Sequence, residues 1–216
     1  MKKVIINTFN DDVDKNAYMN WRLNHHEPIQ NMIVMADGYM ASVIVNAKSC
    51  LENTFDKTAD ILIFPMFFSL NQGIELYLKS ICWSLNILLN YKSKYGKNHD
   101  IRNIWFLVKN KINEFGFNEE RPEDSFNKMV KNIEPYLNEL ANYLKKDNIN
   151  DYHHNIDFSR YPVNNRDEYH FFVNQFDNVT VDLEVIKKFA TQINGDLKCL
   201  TDYYYEIGRA SCRERV

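Results

Sequence analysis

Apolar residues recur at three- and four-residue spacing through five stretches of this chain, the period of helices with one buried face. From Pro28 to Glu52 the repeat is Ile29, Ile33, Ala36, Met40, Val43, Ala47 and Cys50, with Pro28 suited to a first turn. A second repeat, Ile61 to Tyr91, runs through Phe64, Phe67, Ile74, Leu78, Ile81, Leu85 and Leu88. Pro65 lies early enough to be tolerated in its first turn. The third, His99 to Phe115, buries Ile101, Ile104, Trp105, Val108 and Ile112 and closes on Gly116, placed as a left-handed cap. The fourth, Asp124 to Lys145, carries Phe126, Met129, Val130, Ile133, Leu137, Leu140 and Leu144, with Asp124 as N-cap. Pro135 falls inside that repeat and should kink or divide it. The fifth opens near Thr180, a capping residue, and repeats Leu183, Ile186, Ala190, Ile193, Leu197, Leu200 and Tyr204. Gly195 weakens it without forcing a break.

Between the fourth and fifth repeats, Asp147 to Val179 is polar and aromatic with no helical period. A connection of that length is usually functional or partly disordered. Within it, His170-Phe171-Phe172-Val173 could pair as a short strand or hairpin. Residues 1–27 read as a loosely attached arm. No internal repeat or low-complexity linker divides the rest. The pattern predicts an all-α, single-domain bundle of about five helices over residues 28–205, with a long loop between helices four and five.

Composition narrows the picture. A chain of 216 residues can bury the core of one ordinary domain. A formal charge of −3 argues against a broad surface that coats nucleic acid, though not against a local cationic pocket. Cys50, Cys82, Cys199 and Cys212 are far apart and form no CxxC pair, which suits a reducing cytosol. The N-terminus turns acidic before any long apolar run, unlike a signal peptide. The apolar run Ile61 to Leu70 falls short of the ~18 residues needed to span a bilayer, so a cytoplasmic protein with no membrane partner is expected. An abundance of Asn, Lys and Ile points to an AT-rich, bacterial genome. Residues 206–216 resemble a translated sequencing adapter, which would make them a non-native tail and leave the natural C-terminus missing.

The candidate chemistry begins in the second repeat, where an apolar helix keeps a polar stripe, Gln72, Glu75 and Lys79. Glu75 and Lys79 are four apart in the favourable order for a helical ion pair. They read either as a structural pair touching Asn71 or His99, or as a pocket in which Glu75 orients a histidine or arginine. His99 and Asp100 open the third helix, where they either cap it or bring His99 to face Glu75. Arg102, three residues on from His99, could bind phosphate or pair with Glu75. Arg160-Tyr161-Pro162 joins a guanidinium, an aromatic ring and a fixed φ, suited to phosphate contact and base stacking or to pinning the loop. Arg166 and His170 lie in the same loop with weaker claims. His25-His26 and His153-His154 do not share helix faces and find no third ligand at a metal-site spacing, so no metal and no cofactor is expected. No P-loop, GxGxxG, GxSxG or HExxH is present. Trp21, Trp83 and Trp105 read as core or joint residues.

Phe64-Pro65, Glu75-Leu76-Tyr77-Leu78-Lys79, His99-Asp100, Arg160-Tyr161-Pro162 and Val181-Asp182-Leu183, in that order, resemble bacterial proteins related to the HEPN superfamily. The likeness covers roughly Met19 to Tyr205. It implies a helical bundle that often dimerises, with roles in phage defence, toxin–antitoxin systems or RNA processing. Partners implied are RNA or a nucleotide, a second copy of the chain, or a cognate protein. Many members are metal-independent ribonucleases built on R-x(4–6)-H, in which histidine moves protons and arginine stabilises phosphate charge. Here Arg166 to His170 is one residue too short and Arg160 to His170 too long. The resemblance thus nominates His99, Arg160 and His170 for catalysis. It nominates Glu75, Lys79, Arg102, Tyr161 and Arg166 for substrate binding. The alternative is a non-catalytic helical interaction module that has lost the nuclease pair.

Overall fold

The computed structural model describes residues 10–23, 26–96, 98–145, 161, 163, 167 and 179–213, the side chains of 141–145 and 211–213 excepted. Among these the chain is an all-α bundle: α1 (Pro28–Glu52), α2 (Ala59–Leu88), α3 (Ile101–Phe115), α4 (Glu120–Lys145) and α5 (Leu183–Arg213), preceded by a short 3-10 turn at Val13–Lys15, with no strand. The proposed strand at residues 170–173 lies outside the described residues. Between α4 and α5 falls the long segment anticipated from the missing period.

Most of the apolar repeats form the core, but Phe64, expected in the α2 seam, is 41% exposed, and Phe67 and Leu88 are only partly buried. α1 buries Ile29, Ile33, Ala36, Met40, Val43, Ala47 and Cys50. α2 packs on α1, α3 and α5, and α5 also packs on α1 and α4. At the α1–α2 crossing Gly73 lets Met40 come close; a β-carbon there would stand 2.7 Å from the Met40 sulfur. By length and composition α2 could cross a bilayer, with an 18-residue window of mean hydropathy 1.4. Here fifteen of its residues, from Met66 to Asn86, are buried against protein.

Helix ends correct several expectations. α2 stops at Leu88, not Tyr91, because Asn90 takes a left-handed φ of 59. Tyr91 N–H then donates to the Asn86 carbonyl and Asn90 N–H to that of Ile87, the double closure that satisfies orphan carbonyls. Pro65 is the seventh residue of α2, in its second turn. The Ile61 carbonyl it leaves unpaired belongs to an exposed residue that water can reach. α4 starts at Glu120 rather than Asp124, with Pro122 in its first turn, and runs undivided through Pro135. α5 is capped by Asp182, not Thr180: its carboxylate accepts from the N–H groups of Glu184 and Val185. α5 passes Gly195 unbroken and continues beyond Tyr205 to Arg213. Gly116 ends α3 with the positive φ anticipated, 81, but its ψ of −167 is extended rather than left-handed helical, and its N–H donates to the Ile112 carbonyl. Trp105 is core and Trp83 half-buried, but Trp21 is 81% exposed beside Tyr18 in the N-terminal arm.

Candidate functional site

Asn71, Glu75 and Lys79 recur every four residues on α2, so they stack along one face, and all three are buried. The connection from α2 to α3 folds back along this face. Asn86 Nδ2 donates to the Lys94 carbonyl at 2.8 Å, Tyr95 lies under the Lys79 ammonium at 5.6 Å, and His99 reaches Glu75. The connection thereby brings the imidazole to the buried polar face of α2.

There, Lys79 Nζ lies 2.6 Å and His99 Nδ1 2.9 Å from the same oxygen, Glu75 Oε1. A carboxylate only accepts, so Nδ1 carries the proton and Nε2 is left as the basic nitrogen of the neutral ring. The side chains of Glu75 and Lys79 are 2% and 7% exposed, whereas that of His99 is 73% exposed. Glu75 Oε2 and Asn71 Nδ2 are buried with no hydrogen-bond partner. A cleft of about 60 Å³ beside the pair is lined by Lys79, Cys82, Tyr95, Asn98, Asn103 and Leu107, among others. That is room for a few waters or one phosphoryl group, not for a nucleotide. Burial pushes the Cys82 thiol up, which keeps it protonated and unreactive.

Asp100 caps α3, which locks the residue after His99. Its Oδ1 accepts from Arg102 N–H at 2.9 Å and Asn103 N–H at 3.3 Å, and its Oδ2 from Asn103 Nδ2 at 2.8 Å. Asp100→Ala is expected to cost about 1–2 kcal/mol by chemical denaturation, with Asp100→Asn losing less because its amide oxygen still caps. Equal stability of Asp100→Ala and wild type would show that the cap does not hold the connection.

Of the nominated residues, the structure brings Glu75, Lys79 and His99 together. Arg102 forms no ion pair with Glu75; its guanidinium lies 5.9 Å from the Phe106 ring centre. Tyr161 is half-exposed. Arg160, Arg166 and His170 lie outside the described residues, as do His25, His153 and His154. Among the described residues no three His, Cys, Asp or Glu side chains form a metal-sized group.

Two partners went unseen in the sequence. Asn71 accepts from the phenol of Tyr136 on α4 at 2.5 Å, and burial pushes that phenol well above its ordinary range. Tyr95 joins through the α2–α3 connection, its ring also 5.5 Å from Trp83. The sequence offered Asn71 only as a contact of the Glu75–Lys79 pair and put Gln72 in the polar stripe; Asn71 is buried there, whereas Gln72 is only half-buried.

Scans against protein-family models, curated proteins and solved structures found no match to this chain.

Proposed function

We propose that this protein is a metal-independent, RNA-directed acid–base effector of the HEPN kind, working in the bacterial cytosol in phage defence or a toxin–antitoxin pair. The observation that supports it is the Glu75–His99 contact: a buried carboxylate holds Nδ1 of a largely exposed imidazole and leaves Nε2 as its basic nitrogen. In this reading Nε2 removes the proton from an RNA 2′-hydroxyl, whose oxygen attacks the adjacent phosphorus and displaces the 5′-oxygen. Arg160 neutralises the phosphate and His170 returns a proton to the leaving oxygen. Arg102, Tyr161 and Arg166 would bind the strand. The Glu75–His99 dyad stands in for the missing R-x(4–6)-H.

The test is incubation of purified protein with single-stranded RNA in excess EDTA. Cleavage leaving 2′,3′-cyclic phosphate ends, lost on His99→Ala or Arg160→Ala, is expected. If wild type neither cuts nor binds any RNA, the reading fails.

A second reading, a non-catalytic module that dimerises, is favoured by α1. Its outward positions Met35, Gly38, Ala41 and Val45 are exposed and carry no charge. Light scattering that finds only monomers, with no partner captured, counts against it.

A further inference from the structure

Two donors meet one oxygen at the centre of the site. Glu75 Oε1 takes both the Lys79 ammonium and the His99 Nδ1–H, while Oε2 is buried without a partner. All compensation for a buried anion therefore passes through a single atom. Exposure separates the two donors: the ammonium is enclosed with the carboxylate, and the imidazole stands in solvent.

We propose that Lys79 is a positioning residue whose ammonium cancels the charge of Glu75, so that the carboxylate orients the His99 ring without trapping it as a cation. This rests on the acid–base reading of Glu75 and His99, and gives Lys79 a task other than contact with substrate. A histidine beside a bare carboxylate is drawn toward imidazolium and loses its value as a base at neutral pH. Beside a neutral ion pair that pull largely disappears, while the hydrogen bond that fixes the tautomer survives.

The remaining charged groups nearby are otherwise engaged. The Asp100 carboxylate is taken up by three N–H donors at the start of α3. Arg102 lies over Phe106, Lys94 over Trp83, and Tyr95 against Lys79 itself. From α4 the Tyr136 phenol reaches this face, bound to Asn71 one turn from Glu75, with the Glu139 carboxylate acting on that phenol. Among the described residues, only Glu75 bonds Nδ1.

The experiment follows the His99 ring by nitrogen-15 NMR across pH in wild type, Lys79→Gln and Lys79→Arg. Gln keeps a donor for Oε1 without the charge, and Arg keeps the charge. The His99 midpoint should rise by about one unit in Lys79→Gln and stay with wild type in Lys79→Arg. In RNA cleavage the alkaline shift of the pH profile should match. Should Lys79→Gln fold too poorly to titrate, Glu75→Gln supplies the opposite sign: the ring then faces an uncompensated ammonium and its midpoint falls. An unchanged midpoint in whichever of these variants folds overturns the proposal. The titration needs no RNA, so a shifted midpoint without cleavage ends the functional reading alone, and cleavage with an unshifted midpoint ends this inference alone.

Discussion

Glu75→Ala is expected to remove about 3–5 kcal/mol of folding stability, the largest single loss on the polar face of α2. The reason is the charge left behind. Lys79 is enclosed by the bundle and, among the described residues, has no carboxylate but Glu75 within ion-pair distance. Truncating Glu75 strands an ammonium out of water, and that desolvation is far larger than the net worth of the pair. Replacing both members by apolar groups of similar size, Glu75→Leu with Lys79→Met, should recover most of the loss, since neither charge is then buried. The exposed pair Lys48–Glu52, at 3.7 Å, is the control: breaking it should change stability by less than about 1 kcal/mol. Urea denaturation at neutral pH checks all three. Salt gives a further sign, because screening reaches the surface pair and hardly touches the buried one. A loss below about 1 kcal/mol in Glu75→Ala would mean that water already reaches the pair.

The bundle was largely legible in the sequence because burial imposes a period. α1 matches its expected limits, since Pro28 fixes the start and the three-four repeat runs to Cys50 without interruption. Ends set by side-chain caps were harder. Asn90 can adopt a left-handed φ but is a weaker signal than glycine, so the apolar repeat alone set the expected end, at Tyr91. At α5, Thr180 and Asp182 are both capping types, and only the hydrogen bonds to Glu184 and Val185 distinguish them. At α4, acidic Asp124 precedes the first apolar repeat, yet the helix gains another turn through Glu120, Arg121 and Pro122.

The site was legible only as far as local spacing reaches. Glu75 and Lys79 are four apart on one helix, so their pairing follows from geometry that a sequence displays. His99 is 24 positions from Glu75, and its arrival depends on how the connection folds back over Asn86, Lys79 and Glu75. Nothing in residue spacing states that path; the sequence could only hold it beside helix capping as an alternative. The outcome is a division of labour between neighbours. Asp100 caps α3, and His99, freed from that task, turns to Glu75. Tyr136 and Asn71 are joined across 65 positions by burial of a polar pair, which leaves no local trace.

His99→Ala is expected to lower RNA cleavage by about 10²–10⁴-fold, the usual worth of a positioned acid or base. Stability should stay within about 0.5 kcal/mol of wild type, because the ring stands mostly in solvent and Glu75 keeps Lys79 when the imidazole is gone. That separation of effects makes the position informative. On α2, truncating Glu75 confounds folding with chemistry; at His99 the two come apart. His99→Asn sharpens the test, since an amide can still donate to Glu75 Oε1 but has no group that titrates near neutrality. If proton transfer is the task, Asn should be as inactive as Ala. If the ring merely closes the polar face, Asn should retain activity. Initial rates on single-stranded RNA in EDTA, set beside thermal melts of the same preparations, give both quantities. Cleavage by His99→Ala at the wild-type rate would remove the imidazole from the chemistry and leave Glu75 and Lys79 as a structural pair in a bundle with another purpose.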